Sequence, residues 1–227
     1  MNFLVVITAR GGSKGIPKKN IKLLNGKPLI QYSIDIAKAV ADKKDICFTT
    51  DSDEITTVAK NLGLDIPYKR PDDLATDTAN SQDVILHALE TYETLNNKTY
   101  DAVLLLQPTS PFRTLKQVND CIKLFDNSMD MVVSTKLASA NPYYNLFEEE
   151  NGFLTPSKKG NFTRRQDCPN VYEFNGAIYV INSDSLRKQK MKAFRKIKKY
   201  IMSEETSIDI DTPFDWKIAE FHLQNSN

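Results

Sequence analysis

Two stretches at opposite ends of this chain carry side chains whose chemistry fits one ligand. Near the start, Thr8-Ala-Arg-Gly-Gly-Ser-Lys-Gly-Ile-Pro-Lys-Lys-Asn20 follows an apolar run and precedes an amphipathic one. No Asp or Glu stands between Met1 and Ile34, while Arg10, Lys14, Lys18, Lys19, Lys22 and Lys27 all do. A flexible cationic loop at the carboxyl end of a strand suits a triphosphate. Gly11, Gly12 and Gly15 allow backbone N–H groups to approach an anion. Arg10 offers a bidentate fork, and Lys14 and Lys19 offer point charges. Near the other end, Ser207-Ile-Asp-Ile-Asp-Thr-Pro213 places two acids two residues apart. In an extended strand Asp209 and Asp211 share a face. Side by side they repel unless a cation lies between them, and Mg²⁺ favours one or two carboxylates plus phosphate oxygens. The same stretch also reads as a helix start, with Thr212 as N-cap, Pro213 first and Asp215 in the first turn. Both readings hold if the helix begins just after the acidic pair.

Four further stretches carry structural readings on their residues alone. Arg70-Pro-Asp-Asp-Leu-Ala-Thr-Asp-Thr-Ala-Asn-Ser81 is a proline turn leading to a helix, with Asp77, Thr78 or Ser81 as cap. Leu106-Gln-Pro-Thr-Ser-Pro-Phe-Arg113 is a turn stiffened by two prolines, with Ser110 or Thr114 capping the next helix. In Arg164-Arg-Gln-Asp-Cys-Pro the paired arginines read as exposed, and Asn175-Gly-Ala suggests a close backbone approach. His87 and His222 have no partner motif and receive no catalytic role. Trp216 reads as a packing residue.

The elements that must position these groups alternate along the chain. Phe3–Ile7, Ile46–Thr50, Ala102–Leu106, Met131–Thr135 and Phe174–Ile181 have strand character, with a short strand near Leu64–Pro67. Helices are expected over 28–40, 55–62, 81–94 and 114–125, with Ser or Asp capping the second and Gly63 ending it. Alternation of this kind indicates an α/β fold, a mostly parallel sheet covered on both faces. Ligands in such sheets sit beyond the carboxyl ends of the strands. The glycine loop, Asp51 and Gln107-Pro-Thr-Ser-Pro all fall at such ends. From Ala138 the texture becomes turn-rich and polar, as hairpins added to the sheet would be, so residues 1–227 are read as one domain with an excursion over 138–172.

Bulk properties narrow the classes. The chain has 227 residues, 41% hydrophobic, with 30 basic and 29 acidic side chains and a net charge of +1. The cationic loop is therefore placed rather than the overflow of a basic protein, and near-neutrality argues against nucleic-acid binding. Arg187-Lys-Gln-Lys-Met-Lys-Ala-Phe-Arg-Lys-Ile-Lys-Lys199 holds eight basic residues and reads as a solvated face. Cys47, Cys121 and Cys168 form no Cys-x-x-Cys pair, which fits reduced thiols. No segment approaches the ~20 apolar residues that span a bilayer, and no secretory leader is evident. A cytoplasmic protein without membrane contact is expected.

Arg10-Gly-Gly-Ser-Lys-Gly-Ile-Pro-Lys-Lys-Asn20 resembles the signature of the acylneuraminate cytidylyltransferases, the CMP-sialic acid synthetases. The related Kdo cytidylyltransferases have a shorter loop, whose proline is followed at once by Gly-Lys-Pro. Here Gly26-Lys-Pro28 comes later. The matching motifs run in order to Asp211. The resemblance implies a Rossmann-like fold of the nucleotide-diphospho-sugar transferase type, and a homodimer made by the 138–172 excursion. It implies transfer of CMP from CTP to an acidic nine-carbon sugar, with Mg²⁺ as cofactor. By that resemblance Arg10, Lys14, Lys19 and Asp211 act in catalysis, and Gly11, Gly12, Ser13, Asn20, Arg70, Ala79 and Ser81 bind the nucleotide. Gln107, Arg165, Asn175 and Tyr179 face the sugar, and Asp209 and Asp211 hold the metal. The Gln107-Pro-Thr-Ser-Pro form points to the sialic or legionaminic branch rather than the pseudaminic one. One departure concerns the N-acyl group. The sialic acid enzymes place a pair of aromatics before the Tyr200-like strand, and only Phe194 stands in that region here. A Kdo-type synthetase, or a non-catalytic nucleotide- or RNA-binding module, are the alternative readings.

Overall fold

The computed structural model describes residues 1–76 and 78–225. The described residues build ten strands, β1 (Phe3–Thr8), β2 (Leu23–Leu24), β3 (Lys27–Pro28), β4 (Ile46–Thr49), β5 (Ala102–Leu105), β6 (Met131–Leu137), β7 (Phe147–Glu150), β8 (Phe153–Pro156), β9 (Tyr172–Asn182) and β10 (Ile197–Ile201). Their α-helices are α1 (Leu29–Val40), α2 (Asp53–Asn61), α3 (Ser81–Asn96), α4 (Leu115–Leu124), α5 (Ser183–Lys188) and α6 (Pro213–Asn225).

One sheet of six strands, ordered β10-β6-β9-β5-β1-β4, forms the centre. All of its neighbouring pairs are parallel except those made by β9, which runs against β5 and β6. The apolar runs seen in the sequence are buried on both faces, as a covered parallel sheet requires. Val5, Ile7, Phe48 and Leu104 pack under Ile30 and Ile34 of α1, Ile55 of α2 and Val118 of α4. On the other face, Leu4, Val6, Val103 and Val133 pack against Ile85 and Leu89 of α3 and Leu186 of α5.

Local signals explain the helix ends. Ser52 caps α2, its side chain accepting from the Ile55 N–H, so the helix begins at Asp53, two residues before the expected start. Thr114 and Gln117 form a capping box on α4. The cap of α3 is Asn80, which accepts from the Gln82 N–H at 3.0 Å and was not among the expected caps. Asp77, one of those candidates, lies outside the described residues.

Two expected strands are absent among the described residues. Leu64–Pro67 is irregular, because β4 is the last strand on that side of the sheet and Ile66 is satisfied by packing against the core. Residues 208–211, which begin extended at Ile208, join no ladder. Their backbone is tied instead by the Ile210 N–H, which donates to the Thr109 carbonyl at 2.8 Å.

The residues that lengthen the first loop fold into a turn of their own. β2 and β3 form a hairpin whose central Asn25 and Gly26 both have positive φ, 49° and 75°. Asn-Gly is the sequence that such a primed turn selects. In the 138–172 stretch, β7 and β8 make a hairpin with Asn151 and Gly152 at its tip, again at positive φ. Its apolar side chains Phe153 and Leu154 are 77% and 72% exposed. No described helix is long and apolar enough to cross a membrane.

Candidate active site

The carboxyl ends of β1, β4 and β5 open into a cavity of about 640 Å³. β9, running the other way, brings its early residues toward the same rim. Arg10, Ser13, Lys14, Gly15, Lys19 and Asn20 line the cavity from the first loop. Arg70, Leu74, Thr76, Ala79, Ser81, Val84 and Ile85 line it from the second motif and α3. Gln107, Pro108 and Thr109 follow β5, and Asp209 and Asp211 complete the wall.

A small apolar cluster joins the two ends of the chain. Ile16, from the middle of the cationic loop, is buried with Leu24, Leu29, Ile210, Trp216 and Ala219. Ile210 is the residue between the two aspartates, so burying it turns Asp209 and Asp211 outward together. The alternation expected of a strand thus holds without a strand. Gly15 lets the loop come down: a Cβ there would overlap the Asp211 carbonyl oxygen. Lys19 closes the junction, its Nζ donating to the Ile210 carbonyl at 2.7 Å and to Asp211 Oδ1 at 2.9 Å. Just beyond, Thr212 and Asp215 cap α6: Asp215 N–H donates to Thr212 Oγ1 at 3.2 Å, and Thr212 N–H to Asp215 Oδ2 at 2.7 Å.

Asp209 is raised above the usual carboxylate range, first by desolvation and then by the charge of Asp211. A hydrogen bond from Thr109 and the charge of Lys19 oppose the shift. Two carboxylates open to one cavity, with the charge of Asp211 disfavouring ionisation of Asp209, suit a hard divalent cation that also takes phosphate oxygens.

The wall formed by Arg70 and Asn20 is tied by internal hydrogen bonds. Arg70 is buried, its Nε donating to Thr49 Oγ1 at 3.2 Å and its Nη2 to the Thr49 carbonyl at 2.8 Å. Burial lowers its pKa, against the pull of Asp51. Asn20 is also buried and donates to the Arg10 carbonyl at 2.9 Å, fixing the loop's curve beneath Arg10.

Not every residue singled out in the sequence lies on the cavity wall. Gly11 and Gly12 are not among the lining residues. The Gly11 N–H donates to Asp51 Oδ1 at 2.8 Å, an internal bond that takes the place of an anion. Arg165 sits in the excursion and donates to the Ser139 carbonyl at 2.7 Å. Tyr179 is half-buried on β9, its hydroxyl pKa raised by burial and by the charge of Asp209. Asn175 is buried behind the rim. Phe194 is also buried, packed in the core face under α3 and α5.

Four neighbours of the site were given no site role from the sequence. Thr109 and Ser110 bond toward Asp209. Arg113 is buried, its Nη1 donating to Ser33 Oγ at 2.9 Å and its Nη2 to the Gln107 carbonyl. Gly176, at φ 72°, lies against Gln107, Ser110 and Asp209. The first three stand in the same proline-stiffened motif as Gln107, so the signal was present. What each would touch depends on the fold.

Fold and cavity together define an α/β nucleotide-binding protein, with a basic first loop facing an acidic pair. The cytidylyltransferase family profile matches residues 4–224, and the chain belongs to that family. It is 36% identical to the post-translational flagellin modification protein B of Campylobacter coli, over 99% of this chain and 96% of that protein. It is 35% identical to the CMP-N,N'-diacetyllegionaminic acid synthase of Campylobacter jejuni, again over 99% and 96%. Among solved structures, CMP:2-keto-3-deoxy-manno-octonic acid synthetase complexed with CTP superposes with a TM-score of 0.71, covering 99% of both chains. At 18% identity that likeness concerns the fold.

Proposed function

We propose that this cytidylyltransferase takes CTP and a nine-carbon acidic α-keto sugar of the sialic or legionaminic type. It releases pyrophosphate and forms the CMP-sugar. The observation that carries the reading is the junction at Lys19, where the basic loop and the acidic pair meet at one cavity. The 35% identity to a legionaminic acid synthase over nearly the whole of both chains supports the choice of sugar.

In this reading the anomeric hydroxyl of the sugar attacks the α-phosphorus in line, and pyrophosphate leaves. Arg10 and Lys14 grip the triphosphate, and Lys19 stabilises the charge that develops on the leaving group. Arg70, the backbone of Ala79 and the hydroxyl of Ser81 offer donors to the cytosine ring. Asp209 and Asp211 would hold Mg²⁺, which when bound supplies charge neutralisation at the phosphates. Asp211 is the first candidate for a group that draws the proton from the attacking hydroxyl. Gln107 and Tyr179 face the sugar side. Catalysis then rests on positioning and charge rather than on a covalent nucleophile.

The exposed apolar hairpin of β7 and β8 is assigned to a second copy of the chain, giving a homodimer. Because Phe194 is buried, the sugar's N-acyl groups must be recognised by other residues than an aromatic pair at that position. Part of the basic run near the carboxyl end is paired within the chain. Arg187 pairs with Glu93, Lys188 with Asp184 and Lys190 with Asp83. That favours catalysis over an RNA-binding module.

The deciding experiment measures pyrophosphate release from each of the four ribonucleoside triphosphates, with and without Mg²⁺, across a panel of acidic sugars. Release is expected with CTP, Mg²⁺ and a nonulosonic acid. Release with Kdo alone would assign the chain to the Kdo branch, and release with none would overturn the reading.

A further inference from the structure

Asn175 has no hydrogen-bonding capacity left for a substrate. Its Oδ1 accepts from Ser134 Oγ at 2.6 Å and from the Ala177 N–H at 3.2 Å. Its Nδ2 donates to Ser207 Oγ at 2.8 Å and points its other hydrogen at the Met202 sulfur, 3.4 Å away. An asparagine side chain has two donors and two acceptor sites, and all are engaged. The residue is only 3% exposed.

These bonds join three separate pieces of chain. Ser134 lies on β6, where the pairing with β9 breaks register between Val133 and Thr135. Ser207 and Met202 belong to the segment that runs from β10 to Asp209. The Asn175 carbonyl also accepts from Ser110 Oγ at 3.2 Å, and Ser110 reaches toward Asp209 Oδ1 at 3.5 Å. The bulge presses the next residue, Gly176, against the site. A Cβ there would stand 3.2 Å from Gln107 Oε1 and 3.5 Å from Asp209 Oδ2.

We propose that Asn175 is a positioning residue: its amide ties the bulge of β9 to Ser207 and so sets where Asp209 and Gln107 stand in the cavity. It does not touch the sugar. The proposal deepens the cytidylyltransferase reading and rests on it. Buried networks of this kind hold a loop to one geometry only when every member is satisfied. A displacement of about 1 Å in a group aligned for phosphoryl transfer can cost on the order of 100-fold in rate.

The test compares wild type with Asn175→Ala, Ser207→Ala and the double variant. It follows pyrophosphate release against CTP and against the sugar that wild type accepts, with melting temperatures and CTP affinity by calorimetry alongside. Ser207 is buried away from the cavity, so only the positioning role links it to catalysis. Both single variants are expected to lower kcat by roughly ten-fold or more, with KM for the sugar within about two-fold and CTP affinity preserved. The double variant should be no slower than Asn175→Ala, as members of one network are non-additive. A raised sugar KM for Asn175→Ala, with Ser207→Ala like wild type, would make Asn175 a sugar contact and overturn the proposal. Lowered melting temperatures with unchanged kcat and KM in both would reduce it to a structural tie. Absence of wild-type turnover would instead overturn the underlying reading, and the proposal with it.

Discussion

Lys19 holds Asp211 and the Ile210 carbonyl in one grip, and Arg10 faces the same cavity from the loop above. At the scale of single side chains the proposed reaction therefore divides into positive charge from the first loop and negative charge from the Asp209 pair. Arg10→Ala should lower kcat/KM for CTP by roughly 100- to 1,000-fold, the cost of removing one donor aimed at developing charge. Its melting temperature should stay close to wild type, and pyrophosphate release together with a thermal melt checks both. The folded pKa of Asp209 is raised, by desolvation first and by Asp211 after it. The folded state therefore binds more protons than the unfolded one just above the normal carboxylate pKa, and stability falls as pH rises through that window. Asp209→Asn removes this penalty. The metal-free variant should melt higher than wild type at pH 7, with the difference vanishing below about pH 4, while Mg²⁺-dependent turnover is lost. An unchanged or lower melting temperature at pH 7 would contradict the assigned environment of Asp209.

At the scale of elements, what matters is how closely the first loop descends onto the segment before α6. Ile16 and Ile210 share a buried cluster, and burying an isoleucine is worth about 1.5–3 kcal/mol. That attraction can bring the two segments together only if nothing stands between them, and Gly15 provides the space. Gly15→Ala puts a Cβ where the Asp211 carbonyl lies. Backbone has to move, with a destabilisation of about 1–3 kcal/mol. The expected result is a loss of turnover well beyond the loss of stability, because the shift separates Lys19 from Asp211. Gly12→Ala is the matched control: nothing lies near its added Cβ, and it should keep most of the activity. Equal effects in the two variants, read by kinetics and melting, would argue against the close approach.

For the molecule as a whole, the hairpin of β7 and β8 carries the most exposed of its large apolar side chains, Phe153 and Leu154. Phe147, Phe153 and Leu154 are exposed on it, and Leu137, Leu146 and Phe174 are exposed on or near the strands that lead into and out of the excursion. Apolar surface of this extent on a folded chain marks an interaction site. With a second copy as the partner, sedimentation should give a dimer at micromolar concentration. Phe153→Asp combined with Leu154→Asp should give a monomer that remains folded by circular dichroism. A wild-type monomer across that range would remove the homodimer from the proposal.

Much of this protein could be read before its fold was known. Hydrophobic periodicity located the central strands and most helices, because burial on both faces of a parallel sheet demands continuous apolar runs. Charge and glycine in the first loop, and the alternating Asp209 and Asp211, marked candidate groups for a triphosphate and a cation, while the reaction itself came from the family resemblance of the motifs. Strand status for 208–211 could not be read, because a ladder depends on a neighbour distant in sequence, and here bonds of Ile210 with Thr109 and Lys19 serve instead. Nor could the sequence show that the Gly11 N–H is spent on Asp51, or that Asn175 is turned inward. Which groups are left to meet a ligand is decided by packing, since every buried donor and acceptor must first find a partner within the fold. The kinds of residue set the chemistry that is possible, and only the tertiary arrangement, through Ile16 and Ile210 in one apolar cluster, brings residues nearly two hundred positions apart to the same cavity.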